Sequence, residues 1–330
     1  MRIGSIFSGI GGLDVGLERS GHEIAWLAEN DPAASTILAR HWPGIENLGD
    51  VTEVDWSNVE PVEGLCAGNP CPDFSQAGQR KGMAGEQGQL WFEVARAIRA
   101  LRPRVVVLEN VPGIYTSPGL ALDSGESALG VVLSDLATLG YVGSYASIRA
   151  SDFGACHRRE RWFAIAYSTG EGGRQESGGA SQHEAKQNGS ASEANYVFGS
   201  ASQGKFRTAT TADTIGLAGE ASGERFSRSG AGSISLPCGD EREEVDGTTG
   251  RLSPDEWGIY WPAIAHWQDV SGRCAPRPAI DGRLRPEFVE WMMGFDEGWT
   301  EGVAKTNRLR CLGNAVFVPI AEYLGDQLWA

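Results

Sequence analysis

Positive charge is in short supply. Against 43 Asp and Glu the 330-residue chain sets only 28 Lys and Arg, a formal net charge of −15 with a pI near 4.8. A protein of that balance is not held on a polyanion by its overall field, although a local basic groove remains compatible with it. Long apolar runs are missing too: none approaches the roughly eighteen residues of a membrane helix, so no membrane association is expected. Met1-Arg2-Ile3-Gly4-Ser5 lacks the greasy stretch and cleavage site of a secretory leader, which predicts a cytoplasmic protein. Cysteine is sparse at six, with no C-x-x-C pair, which fits neither a disulfide framework nor a zinc ribbon, and no metal is expected. What remains is 41% hydrophobic and 22% charged, enough apolar material for one large domain or two modest ones.

The chain is organised in three stretches. Up to about Ser168, short β-rich runs alternate with helical patterns. Strands are expected at Arg2 to Phe7, Glu23 to Ala28, Gly64 to Ala67, Arg104 to Leu108, Tyr141 to Ile148 and Arg161 to Ala166. Helices are expected at Ala33 to His41 after Pro32, at Leu90 to Leu101 and at Leu129 to Leu139. Strand and helix in alternation, with continuous apolar strands, indicate an open α/β sheet covered on both faces. Ligands of such sheets bind beyond the carboxyl ends of the strands, so the turns that follow strands are the places to read. From Ser168 to about Gly250 the composition shifts to Gly, Ser, Ala, Thr and Glu, with few large apolar residues. That is the signature of an inserted segment, either partly disordered or a small recognition module. Patterned sequence returns at Trp257, with helices expected over Arg283 to Gly294 and Pro319 to Trp329. Trp257, Trp261, Trp267, Trp291 and Trp299 read as core of the smaller region rather than as stacking platforms.

The turns carry the chemistry. Phe7-Ser8-Gly9-Ile10-Gly11-Gly12 follows the first strand, where glycines let a ligand approach the backbone. It fails as a dinucleotide fingerprint because Asp14 stands where the third Gly is required. Glu29 ends the second strand, about twenty residues on, where a carboxylate accepts two ribose hydroxyls. Asp50 in Gly49-Asp50-Val51 supplies an acid at the next turn, where an adenine amino group could be read. Together these favour an adenosine cofactor without a diphosphate, a description S-adenosylmethionine meets. In Gly68-Asn69-Pro70-Cys71-Pro72 a thiol stands between two prolines. Most free cysteines are small buried hydrophobes, as Cys66 is expected to be. Prolines on both sides stiffen the loop and aim Cys71, as a nucleophile requires. Glu109 begins where a Val-rich strand emerges, a costly place for a carboxylate unless it is hydrogen-bonded or part-time protonated. That suits a group giving a proton to a ring nitrogen.

The ordered set Phe-x-Gly-x-Gly-Gly, Glu-Asn, Gly-Asp-Val, Pro-Cys-x-x-Phe-Ser, Glu-Asn-Val-Pro-Gly, Arg-Arg-Glu-Arg and Gly-Asn-Ala-Val resembles the DNA (cytosine-5) methyltransferases of bacterial or phage type. The likeness runs from Ile3 to about Ala166 and again from about Leu284 to Ile320. It implies a Rossmann-like S-adenosylmethionine-dependent methyltransferase fold: a mixed, mostly parallel sheet with helices on both faces, plus a smaller irregular target-recognition region. Residues 1–168 would be the catalytic and cofactor domain, 169–282 the target-recognition region, and 283–330 a C-terminal return to the catalytic domain.

The resemblance also implies roles. Phe7, Gly9, Gly11 and Gly12 would line the cofactor, with Glu29 on its ribose, Asp50 and Val51 at its adenine, and Pro70, Leu90 and Asn314 bordering the pocket. Cys71 would be the nucleophile and Glu109 the acid at the N3 of the base. Arg159 and Arg161 would contact a cytosine flipped out of double-stranded DNA. S-adenosylhomocysteine would be the product, with no metal involved. A cognate restriction endonuclease acting separately is an implied partner, and the protein is expected to be a monomer. Gln76 to Lys81 is expected to be a loop closing over the base, and Arg158, Arg273, Arg277, Arg283, Arg285, Arg308 and Arg310 to join a positive channel. Four positions depart from the family pattern: Pro72, where Gln is usual, Gln87 and Gly88, where Arg-Ser is usual, and Cys156. An amino-methyltransferase is the competing enzyme class, since Asn69-Pro70 superficially matches its Asn-Pro-Pro-aromatic loop. There, however, Cys71 takes the second Pro position and the aromatic comes only at Phe74. The motifs are also compatible with an RNA-directed cytosine-5 enzyme and with a catalytically dead, DNA-binding relative.

Overall fold

A computed structural model describes residues 1–69, 88–119, 126–170, 199–200 and 252–329. The apolar run Arg2–Ile6 forms β1, followed by α1 (Gly12–Arg19), β2 (Glu23–Ala28), α2 (Pro32–His41) and the two-residue β3 (Glu46–Asn47). The chain then returns to the middle of the sheet as β4 (Gly64–Gly68), α3 (Leu90–Leu101) and β5 (Val105–Asn110). After α4 (Ala128–Thr138), the long strands β6 (Tyr141–Arg149) and β7 (Glu160–Ser168) complete the sheet, with β8 (Gly199–Ser200) on its edge.

The order of strands among the described residues is β3-β2-β1-β4-β5-β7-β6-β8. The pairs β1/β2, β2/β3, β1/β4 and β4/β5 are parallel, whereas β7 runs antiparallel to both β5 and β6. The expected mixed, mostly parallel sheet is therefore present. Chain direction across the sheet reverses between β1 and β4, the switch point where open α/β sheets leave a crevice.

Alternation along the strands sends side chains into two cores. From β5, Val105 and Val107 face one layer, while Val106 and Leu108 face the other. The second layer is built with α3 and α4. The first is built with α1, α2 and the region from 252 to 329, which supplies α5 (Pro254–Trp257), α6 (Trp261–Ser271), α7 (Pro286–Met293), α8 (Lys305–Asn314) and α9 (Val318–Gln327). Ile264 and Trp267 of α6 thus share a core with Phe317 and Leu324.

Two features differ from the sequence-based expectation. The helix expected from Arg283 begins only at Pro286, because β10 (Arg283–Leu284) pairs antiparallel with β9 (Ala279–Ile280) across Asp281-Gly282. Both turn residues are left-handed (φ 49° and 71°), as a two-residue Asp-Gly hairpin demands. The helices α6 and α8 follow no pattern picked out from the sequence. Cys66, Cys156 and Cys311 are free, while Cys274 is disulfide-bonded. No helix among the described residues is long and apolar enough to cross a membrane.

Candidate active site

The Gly-rich turn leaves β1 through three left-handed residues, Phe7 (φ 55°), Gly9 (φ 57°) and Gly11 (φ 82°). For Phe7 that conformation costs on the order of 1–3 kcal/mol, strain that clusters at functional sites. The turn is pinned to β2: Phe7 N–H donates to the Ala28 carbonyl at 2.9 Å, and Gly9 N–H to Glu29 Oε2 at 2.8 Å. The other oxygen of Glu29 accepts from Asp31 N–H at 2.7 Å. Each oxygen keeps a lone pair for a ligand. Burial pushes the Glu29 carboxyl up, against the pull of these amides.

Glu109 is explained by register. In the β5/β7 ladder it lies opposite Phe163, and residues two apart share a face, so Arg161 stands diagonally on the same side. Arg161 Nε comes within 3.1 Å of Glu109 Oε1. Burial raises the Glu109 pKa even though Arg161 and Arg159 pull it down. Burial lowers that of Arg159 to about 10, with the charge of Arg161 adding to the effect. Arg159 does not face the cavity: its guanidinium donates to the carbonyls of Gly313 and Ala315 and so ties down the turn that carries Asn314.

One cavity of about 430 Å³ joins these groups. It is lined by Phe7, Gly9 and Glu29, by Asn314 and Val316, and by Glu109 with Arg161. Gly68, the last residue of β4, pairs with Glu109, and a Cβ there would lie 3.6 Å from both Glu109 Oε2 and the Phe7 carbonyl. The cofactor turn and the acid therefore meet across a single strand. The space beside Gly9 is open to 4 Å. An open glycine cradle, a carboxylate with free lone pairs, and apolar flanks from Phe7, Leu13 and Val316 fit an adenosyl amino acid.

Not every expected residue lines that space. Gly12 does. Gly11 is covered by Trp42, whose ring a Cβ would meet at 2.5 Å. Asp50 bonds Thr52 and, at 2.9 Å, Asn30, contacts that lower its pKa. Val51 is buried beneath it in the core, and Leu90 opens α3 outside the cavity lining. Pro70, Cys71, Gln87 and the loop Gln76 to Lys81 lie outside the described residues. Four of the seven arginines expected in the positive channel form ion pairs: Arg308 with Glu287 and Glu290, Arg285 with Glu287, Arg310 with Asp31, and Arg273 with Asp296. Arg158 and Arg283 are exposed. The motifs read from the sequence do not include Asp31, which lines the cavity in an ion pair with Arg310, a residue expected only in the positive channel. Asp31 could have been found as the Asp-Pro cap of α2, but nothing local marks its pairing with Arg310.

A model of the family described as C-5 cytosine-specific DNA methylase matches residues 1–330. Type II methyltransferase M2.BsuMI of Bacillus subtilis (strain 168) is 30% identical over 99% of this chain and 75% of its own length. Type II methyltransferase M.HhaI of Haemophilus parahaemolyticus is 32% identical over 51% of the chain, a match that spans 49% of that relative. Among solved structures, the S. pombe Dnmt2 methyltransferase superposes with a TM-score of 0.57 at 15% identity, covering 99% of this chain and 98% of that one, a likeness of fold.

Proposed function

This chain belongs to the C-5 cytosine-specific DNA methylase family, and on that premise we propose that it methylates carbon 5 of a cytosine flipped out of double-stranded DNA, through a covalent Cys71 adduct with Glu109 acting at N3. The observation that carries this reading is one cavity lined by both the Glu29 cradle and the Glu109–Arg161 pair. S-adenosylmethionine, when bound, supplies an electrophilic methyl group on a sulfonium.

The protein's residues do the rest. Cytosine carbon 5 is too electron-poor to attack unaided. The Cys71 thiolate adds to carbon 6 while Glu109 gives a proton to N3, which makes carbon 5 an enamine-like nucleophile. Methyl transfer releases S-adenosylhomocysteine. Loss of the C5 proton to a base and of the N3 proton back to Glu109 then expels Cys71 and restores the ring. Arg161, held on Glu109, faces the charge that develops toward O2. Extrusion of the base costs a few kcal/mol and exposes the face that the thiolate attacks. Two observations support Cys71. It follows Gly68 by three residues, a reach of roughly 10 Å, and Gly68 pairs with Glu109. Moreover, burial pushes up all three described free thiols, with Cys156 at about 11, so none of them suits a nucleophile.

Residues 169–282 would read the target sequence, and the enzyme would act as a cytoplasmic monomer beside a separate cognate endonuclease. Nucleoside chromatography of DNA from cells expressing the chain tests the reaction. 5-Methylcytosine supports it, whereas N4-methylcytosine or an unmodified pool overturns it.

A further inference from the structure

The cofactor turn is gripped from the far end of the chain. Trp299 donates its indole N–H to the carbonyl of Ile10 at 2.8 Å in a buried bond spanning 289 residues. Ile10 lies between Gly9, whose amide holds Glu29, and Gly11, whose amide returns to the Ser8 carbonyl at 2.9 Å. The bond therefore fixes the peptide at the centre of a turn built from left-handed residues.

The indole is itself immobilised. His41 stacks on it with ring centroids 3.5 Å apart and 9° between planes, and His41 Nε2 bonds the Trp299 carbonyl at 2.8 Å. Trp42 meets it edge-on at 5.8 Å while covering Gly11. Around it the backbone of 298–301 is clamped. The fully buried Glu290 accepts from Gly298 N–H and Thr300 N–H, both at 2.9 Å, and is neutralised by Arg308 at 2.9 Å. Arg40 donates to the carbonyls of Glu301 and Gly298. A buried carboxylate this fully satisfied is a rigid anchor, and everything it anchors converges on one donor aimed at the cofactor turn.

We propose that Trp299 is a positioning residue for the cofactor: its indole N–H, set by the Glu290–Arg308 clamp and the His41 stack, holds the Ile10 carbonyl so that the Gly9–Gly12 turn is preformed for binding. This rests on the reading of the cavity as an S-adenosylmethionine site. A carbonyl left buried without its donor would draw the turn away from its left-handed conformation, and the ligand would have to restore it on binding.

The test is calorimetric binding of S-adenosylhomocysteine to the full chain and to Trp299→Phe, which keeps an aromatic ring but removes the donor together with part of the ring system packed on His41. The expected result is a Kd raised about tenfold, the equivalent of one buried hydrogen bond, with faster hydrogen exchange at the amides of Ile10 to Leu13 in the free protein. An unchanged Kd with only a lowered melting temperature would assign Trp299 to packing and overturn the proposal. If Trp299→Phe does not fold, His41→Leu loosens the same indole and should raise Kd in the same direction; no change there overturns it as well. Failure of the wild-type chain to bind S-adenosylhomocysteine at all would instead strike the cofactor reading itself.

Discussion

Replacing Glu109 by Gln isolates the proton from the shape. The amide is isosteric, so its oxygen can still accept from Arg161 Nε, now 3.1 Å from the carboxylate. What is lost is an acidic proton within reach of the base and the countercharge to two guanidiniums. Loss of a positioned general acid costs about 10²–10⁴-fold in the chemical step. The folded state loses less. The pair is almost buried (Glu109 side chain 10% exposed, Arg161 19%), and one charge-assisted bond becomes a neutral one, a change of roughly 1–3 kcal/mol. That cost is partly offset, because burial already disfavours the Glu109 carboxylate. Single-turnover methyl transfer from labelled S-adenosylmethionine, with enzyme in excess over DNA, reads the chemistry apart from product release. A drop of at least about a hundredfold is expected, with S-adenosylhomocysteine affinity nearly unchanged. The pH profile should change too. Burial raises the Glu109 pKa, so the wild-type rate keeps its acid to higher pH than a surface Glu would allow and falls as that proton is lost; the variant has no such limb. A near-normal rate, or an alkaline limb that survives in Glu109→Gln, would refute the assignment.

Other positions have equally definite expected outcomes. Cys71→Ser should abolish transfer and leave S-adenosylhomocysteine binding intact, and measurable turnover would reject it as the nucleophile. Asp14, fully buried beside Ser5, has its pKa raised by burial from 3.8 to about 7. The unfolded state thus releases this proton first, so the group subtracts stability as pH rises from about 4 to about 7, by up to about 4 kcal/mol. Urea titrations should show that slope flattened in Asp14→Asn. Gly16→Ala should lower stability by about 1–3 kcal/mol, because its Cβ would meet Ala321 Cβ at 2.4 Å where α1 packs on α9. Calorimetry with no loss of melting temperature would contradict that packing. Deleting residues 171–232 should leave a folded sheet but erase sequence preference in methylated-site sequencing.

Much of the fold could be read from the chain because its strands are continuous apolar runs closed by turn residues. The runs Glu23–Ala28 and Leu90–Leu101 have the boundaries their periodicity implies. The site was legible where chemistry sits at the end of a strand, as at Glu29 and Glu109. Contacts made across hundreds of residues were not. Arg310 reaches Asp31, and Trp299 reaches Ile10, through packing that no local spacing encodes. The arginines show the same limit, since sequence displays Arg285 and Arg308 but not the acids of α7 that pair with them.

The β5/β7 ladder has a consequence for how such an enzyme can diversify. Glu109 pairs with Phe163, and Arg161 lies two residues from Phe163 on the same face of β7, so the main chain sets where both side chains start. On the proposed reading, in which residues 169–282 read the target, the acid and cation lie outside the part that would change. New target sites would then be acquired by altering that region alone, without re-evolving the reaction.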